Sequence, residues 1–272
     1  MCSSHKTRKP WEESFRRLIS IINRNKKRLE KAAAVLAALL LWQLLAMAIN
    51  NRLLLVTPFV VLERLFRMIP TGDFWRSVAF SVSRILSGFL IGSFIGTLLA
   101  VIAGRFRIAD ILLRPYMAAI KATPVASFII LCLIWLNSRN LSVFISFLMV
   151  LPIVYTNVLL GIRSTDKQLL EMADLFNIGW WRRLRYIYIP HLTPYILSAC
   201  TVSIGLSWKA GVAAEVIGIP TGSIGERLYE AKEYFSTGDL FAWTLVIIAL
   251  SILAEKIFVK TLTYLLNLRE TY

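Results

Sequence analysis

The sequence predicts an all-α membrane protein with six transmembrane helices, a helix-turn-helix on the inner face and an N-terminal interfacial helix. Three observations carry this. The 272 residues are 57% hydrophobic and only 17% charged, whereas a soluble domain carries about 25% charged residues. The apolar residues gather in runs of roughly 18–25, the length that crosses a hydrocarbon core about 30 Å thick. The basic residues, which give a formal charge of +15, flank those runs, as determinants of topology do. In a soluble chain that charge points to nucleic acid. Here no basic polar stripe is interleaved with stacking aromatics, so nucleic acid is not an expected partner.

Residues 1–32 are rich in Lys and Arg, with Trp11, Phe15, Leu18, Ile19 and Ile22 at helical spacing. Such a helix lies in the membrane interface, against lipid; a soluble docking helix is the alternative. No small-residue cleavage site follows the first apolar run, so that run is expected to stay as a span. Cys132 and Cys200 lie in apolar runs and Cys2 in the basic tail. This spacing is not that of metal ligands.

The first span is expected over 33–50. The second, over 79–103, carries Gly88, Gly92 and Gly96 on one face, which lets a neighbouring helix approach closely. The third, over 112–136, is interrupted by Pro115 and Pro124. The fourth covers 141–161, the fifth 192–214 and the sixth 240–262. A short tail, 266–272, ends the chain. Six spans put both termini on one side. That side holds the dense N-terminal cluster together with Arg105, Arg107, Arg114, Arg163, Lys167, Arg182, Arg183, Arg185 and Arg269. The positive-inside rule therefore places both termini in the cytoplasm of a multi-pass protein of the cell membrane.

The longest polar internal segment is 163–190. Ser164 or Thr165 can cap a helix start, and Leu169, Leu170, Met172, Ala173 and Phe176 supply its apolar positions. Asn177-Ile178-Gly179 reads as a break, since Asn and Gly most readily take a left-handed backbone at a helix end. A second helix begins near Trp180 and is expected to end before Pro190.

This segment resembles the EAA motif of binding-protein-dependent ABC importer permeases: Glu-Ala-Ala, three residues, Gly, nine residues, Ile, one residue, Leu-Pro. Glu171, Met172 and Ala173 stand at Glu-Ala-Ala, Asn177 stands at the Gly, and Ile187, Ile189 and Pro190 stand at Ile, Leu and Pro. Asn tolerates the left-handed conformation that Gly would supply. The resemblance spans about 55–265. Ser83-Arg84-Ile85-Leu86-Ser87-Gly88-Phe89, Ala122-Thr123-Pro124-Val125-Ala126 and the stretch from Trp208 to Gly218 are similar to the branch that imports nitrate, taurine and alkanesulfonates. It implies a permease domain over 55–265 whose coupling segment, 163–190, docks in a groove on a cytoplasmic ATPase dimer. Glu171, Met172, Ala173, Leu175, Phe176, Asn177 and Gly179 would be its coupling residues. It further implies a second permease copy, most simply a homodimer, and an external solute-binding protein. ATP and Mg would sit on the ATPase, with no cofactor on this chain.

Charged groups inside spans are expensive and mark functional positions. Lys121 and Thr123 lie beside Pro124, and Lys209 lies deep in the fifth span beside Trp208, with Glu215 six residues on. Arg84, near the start of the second span, can snorkel to the outer interface. The ammonium of Lys209 either attracts an anionic solute such as a sulfonate or nitrate, or pairs with Glu215 or Glu255; the ion pair is the plainer reading. Glu255 is expected to have a pairing role. No Walker loop or HExxH motif is present, so the chain is not read as an enzyme. An ion-gradient-driven secondary transporter is the alternative, but it predicts inverted repeats and midplane carboxylates, and neither is visible.

Overall fold

The structure is a computed structural model that describes residues 29–30, 33–49, 51 and 53–267. The expected interfacial helix in 1–32 and most of the tail 266–272 lie outside the described residues. Every regular element among the described residues is helical. Residues up to Leu62 and residues from Glu63 onward form two compact units.

The first unit contains α1 (Ala33–Ile49), an apolar helix whose Leu36, Leu40, Leu44 and Met47 are exposed. A helix that shows apolar side chains to its surroundings belongs in lipid or against other helices. The indole N–H of Trp42 donates to the carbonyl of Val56 at 3.1 Å and holds the following segment back on α1. Helix α2 (Pro58–Met68) opens on Pro58, at a position where the missing N–H costs nothing.

From Glu63 on, the long elements are α3 (Gly72–Arg105), α4 (Arg107–Ala122), α5 (Val125–Cys132), α6 (Ser138–Arg163), α9 (Ile189–Gly218) and α11 (Thr237–Asn267). Between α6 and α9 lie α7 (Lys167–Leu175) and α8 (Trp180–Arg183), and between α9 and α11 lies α10 (Ile224–Glu233). Four helices are long and apolar enough to cross a membrane: α3, α6, the continuous run Trp180–Gly218 and α11. The bent pair α4–α5 makes up to five, and α1 is apolar but shorter. Apolar helices therefore stand at all six expected places, while the count of six full spans is not reached by length.

Two expectations are corrected. The third run is interrupted at Pro124 as expected, where α4 and α5 meet at 103°, but not at Pro115. Pro124 has no N–H and pushes Thr123 into an extended conformation (φ −75°, ψ 128°). Pro115 sits inside α4 without ending it. The second correction is at Pro190, where no helix ends. Helix α8 runs through a π-helical stretch, Leu184–Tyr188, straight into α9, which contains both Pro190 and Pro194. A locally widened turn accommodates backbone groups that a proline leaves unpaired.

The three-glycine stripe packs α3 against α6, the most extensive interface of this unit. A Cβ on Gly92 would lie 2.9 Å from the Phe147 carbonyl oxygen and from Val150 Cβ, and one on Gly96 would lie 3.0 Å from the Leu151 oxygen. One on Gly88 would strike the Val143 oxygen. The two backbones are in direct contact along this line. Helix α9 closes on both at Ser146 of α6, whose Oγ donates to the Ser207 carbonyl at 3.1 Å. Phe89, Val150, Val154, Cys200 and Ile204 form the centre of the core. Phe258 of α11 meets Phe89 edge-on at 4.8 Å.

Candidate functional site

Helix α7 starts at Asp166, whose carboxylate accepts the Gln168 N–H at 2.9 Å. The cap is therefore Asp166, not Ser164 or Thr165. Those two hydroxyls are engaged elsewhere: Ser164 Oγ donates to Tyr195 Oη at 2.8 Å, and Thr165 Oγ1 donates to the Gly161 carbonyl at 3.3 Å. After Phe176 the chain turns through Asn177, whose φ of 49° is left-handed. The Ile178 N–H then returns to the Ala173 carbonyl at 2.9 Å. Gly179 is extended (φ −61°, ψ 152°) and precedes α8. Asn177 alone makes the reversal.

The two helices of this segment are braced by Arg183. Its Nε donates to the Ile178 carbonyl at 2.7 Å, its Nη2 to the Ala173 carbonyl at 3.1 Å, and its Nη1 pairs with Asp174 at 2.5 Å. Ala173 is fully buried at this junction. Glu171 and Met172 are exposed, as are Leu175 at 82% and Phe176 at 75%. Among the described residues Glu171 makes no ion pair. The segment thus presents an acidic and apolar face, held rigid from behind.

The polar residues of the spans separate into two groups. Lys209 is exposed and shares one face of α9 with Thr201, Val202 and Leu206. Among the described residues it has no ion-pair partner, so the pairing with Glu215 or Glu255 is not made. Side chains six apart on a helix point roughly 120° from each other, which keeps Glu215 out of reach. Glu215 instead faces inward, fully buried, and its Oε2 accepts from Ser81 Oγ at 2.6 Å. Glu255 likewise makes no ion pair among the described residues. Trp208, beside Lys209, is 1% exposed and packs on Ile85 and Val212. It is a core residue and does not share the Lys209 face. Lys121 is exposed at the end of α4 and donates to Thr156 Oγ1 at 3.2 Å. Thr123, at the α4–α5 bend, donates to the Ala119 carbonyl at 2.8 Å.

Arg84 does not stand free at an interface. It donates to the Arg139 carbonyl and, at 3.1 Å, to Asn140 Oδ1, tying α3 to the first turn of α6. A further buried group joins α4 to α6: Asp110 Oδ2 accepts from Arg114 at 2.9 Å and from Arg163 at 2.7 Å.

Residues 88–271 match the family described as the binding-protein-dependent transport system inner membrane component. The chain belongs to this family. The permease is 25% identical over 236 residues to the putative aliphatic sulfonates transport permease SsuC of Bacillus subtilis, covering 85% of this chain and 84% of that one. It is 28% identical over 212 residues to the protein of the same name in Escherichia coli, covering 77% and 80%. It is 24% identical over 239 residues to the bicarbonate transport system permease CmpB of Synechococcus elongatus, covering 82% and 84%. The permease is thus the membrane component of an importer, not an enzyme. Its family is defined by dependence on a solute-binding protein, and ATP hydrolysis falls to a separate subunit.

Sequence reasoning missed two groups in the permease. Asp110 and Arg114 are four apart on one helix, a visible i,i+4 pair, but Arg163 lies 53 residues away and was read only as a topology charge. Arg183 was read the same way. Its position five residues after Ile178 becomes meaningful only once Asn177 has turned the chain back.

Proposed function

We propose that this chain is the pore-forming permease of an ATP-driven importer and that α7 is the helix that engages its ATPase. The observation that carries this is the braced helix-turn-helix. It has a left-handed Asn177 at the position of the family's glycine, and Glu171, Leu175 and Phe176 are turned outward. An exposed apolar pair beside an exposed carboxylate suits a groove on another protein. Arg183 makes that face stiff enough to transmit a push. The ATPase subunits close on ATP with Mg, each carries its docked α7 with it, and the attached spans rock between outward-open and inward-open states.

A single copy does not enclose a gated path, so two copies face each other across the pathway. The open faces carrying Lys209 and Lys121 then supply positive charge to it. The names of the relatives point to sulfonate or bicarbonate, and a small anionic solute of that kind suits two ammonium groups. Both termini lie in the cytoplasm, and the domain runs over 55–265.

The test is purification of the chain from its native host in mild detergent, with identification of what accompanies it. An ATPase at about one copy per permease, with uptake driven by ATP, is the expected result. Recovery of the chain alone, with uptake driven by an ion gradient, would make it a secondary transporter.

A further inference from the structure

Helix α10 has one open end and one buried end. At its C-terminal end Tyr234 and Phe235 are 78% and 74% exposed. Beside them lies a cavity of about 560 Å³ whose lining includes Arg64, Arg67, Arg227 and Glu230. At its N-terminal end Ile224 is fully buried and Gly225 is also buried. We propose that Glu215 is the positioning residue of a latch that fixes α10 to α9 and α3. The binding protein on which this family depends, docked on the open end of α10, thereby moves those two spans. This rests on the importer reading above.

The first amides of a helix have no partner within it. In α10 the first two find partners on two different elements, and the third finds its own cap. The Ile224 N–H donates to Ser81 Oγ of α3 at 2.9 Å, and the Gly225 N–H donates to Glu215 Oε2 of α9 at 3.4 Å. The Glu226 N–H donates to Ser223 Oγ at 2.9 Å. Ser81 Oγ in turn donates to Glu215 at 2.6 Å. One carboxyl group therefore holds a hydroxyl from α3 and an amide from α10 together.

Contact at this point is backbone on backbone. A Cβ on Gly225 would strike Glu215 Cβ and its carbonyl carbon and would lie 2.6 Å from the Val216 nitrogen. The link from α9 to α10 is bent tight: Ile219 has a φ of 46°. A β-branched residue adopts that conformation only where its surroundings compel it. A leucine at 215 would fill the same space without the expense of burying a polar group in a span. Its place is taken by a group that makes directional bonds to two other helices.

The experiment uses the purified transporter: permease, its ATPase and the binding protein that accompanies it. ATP hydrolysis is measured with and without that binding protein, and hydrogen exchange is followed across α10. Glu215→Ala should cut the stimulation by binding protein about tenfold, the size of effect expected of a residue on a coupling route. Basal hydrolysis and assembly should be unchanged. Exchange in the first turn of α10 should quicken about tenfold while that in α6 does not. Glu215→Gln, which keeps an acceptor, should restore the stimulation. Ser81→Ala removes one hydroxyl and must show the same selective loss, including where Glu215→Ala does not assemble. A proportional fall of basal and stimulated hydrolysis, or unaltered exchange in α10, overturns the latch. An unmodified chain that binds no ATPase overturns the importer reading instead.

Discussion

Arg183 reaches back ten residues to donate to the carbonyl of Ala173 at 3.1 Å. The bond closes a loop whose corner is the left-handed Asn177. With the partners at Ile178 and Asp174, it turns two short helices into one solid piece. Isolated helices of nine and four residues are not stable in water, so α7 depends on this brace for a fixed direction. The brace is on the α8 side, and α8 is continuous with α9, so a force on α7 passes directly into a span.

Replacing Arg183 by Ala should therefore uncouple the transporter without removing it from the membrane. Two of the lost bonds are charge-assisted bonds to carbonyls, each contributing about 1.5–3 kcal/mol. The expected result is normal membrane abundance, retained basal ATP hydrolysis and transport reduced at least tenfold. Transport assays on membrane vesicles check it; unaltered uptake would show that the direction of α7 is set elsewhere.

Glu171 tests the opposite face of the same element. It is exposed and makes no ion pair among the described residues, so Glu171→Lys leaves the fold of this chain intact. It reverses charge at the docking face, where like charges brought together cost several kcal/mol. Co-purification of the ATPase should fall sharply while the chain's melting temperature in detergent stays the same. Normal ATPase recovery together with normal uptake would remove Glu171 from the interface.

The glycine line on α3 gives a paired prediction on stability. Gly92→Ala places a methyl 2.9 Å from the Phe147 oxygen, and overpacking of this kind costs about 1–3 kcal/mol. Gly205 on α9 has nothing within 4 Å of an added Cβ, and Ala is the better helix former by about 1 kcal/mol. Fluorescence-detected melting should fall for Gly92→Ala and rise or hold for Gly205→Ala.

What was legible in the sequence follows from the range of each interaction. Asn177 was legible because its left-handed turn is a property of the residue itself. The stripe at 88, 92 and 96 was legible because spacing places it on one face whatever the neighbour is. Pro115 and Pro124 looked alike, and only one breaks the helix: the chain after Pro124 turns through 103° into α5, which packs on α9. That partner is set by tertiary packing. The bonds of Arg183 to Ala173 and of Arg163 to Asp110 join residues that carry no local mark of each other. Trp208 and Lys209 were read together because they are adjacent, yet adjacent residues on a helix point about 100° apart, and one is core while the other is open.

That separation sets the last prediction. Lys209 is exposed on a span, unpaired among the described residues, and accompanied on its face by Thr201 and Leu206. Burying an ammonium against lipid is costly, so in the assembled transporter this face meets protein or a water-filled path. Facing the path, it gives an anionic solute a counter-charge that the surrounding apolar walls strengthen. Lys209→Gln should then raise the KM for uptake of a small sulfonate or bicarbonate about tenfold, equivalent to about 1.4 kcal/mol, while Lys209→Arg keeps most of the activity. Lys121→Gln should act in the same direction: Lys121 is exposed just before the bend of α4 and α5, and its Nζ donates to Thr156 of α6. If both Gln variants transport with unaltered kinetics, the two lysines face the second permease copy, and the path draws its positive charge from elsewhere.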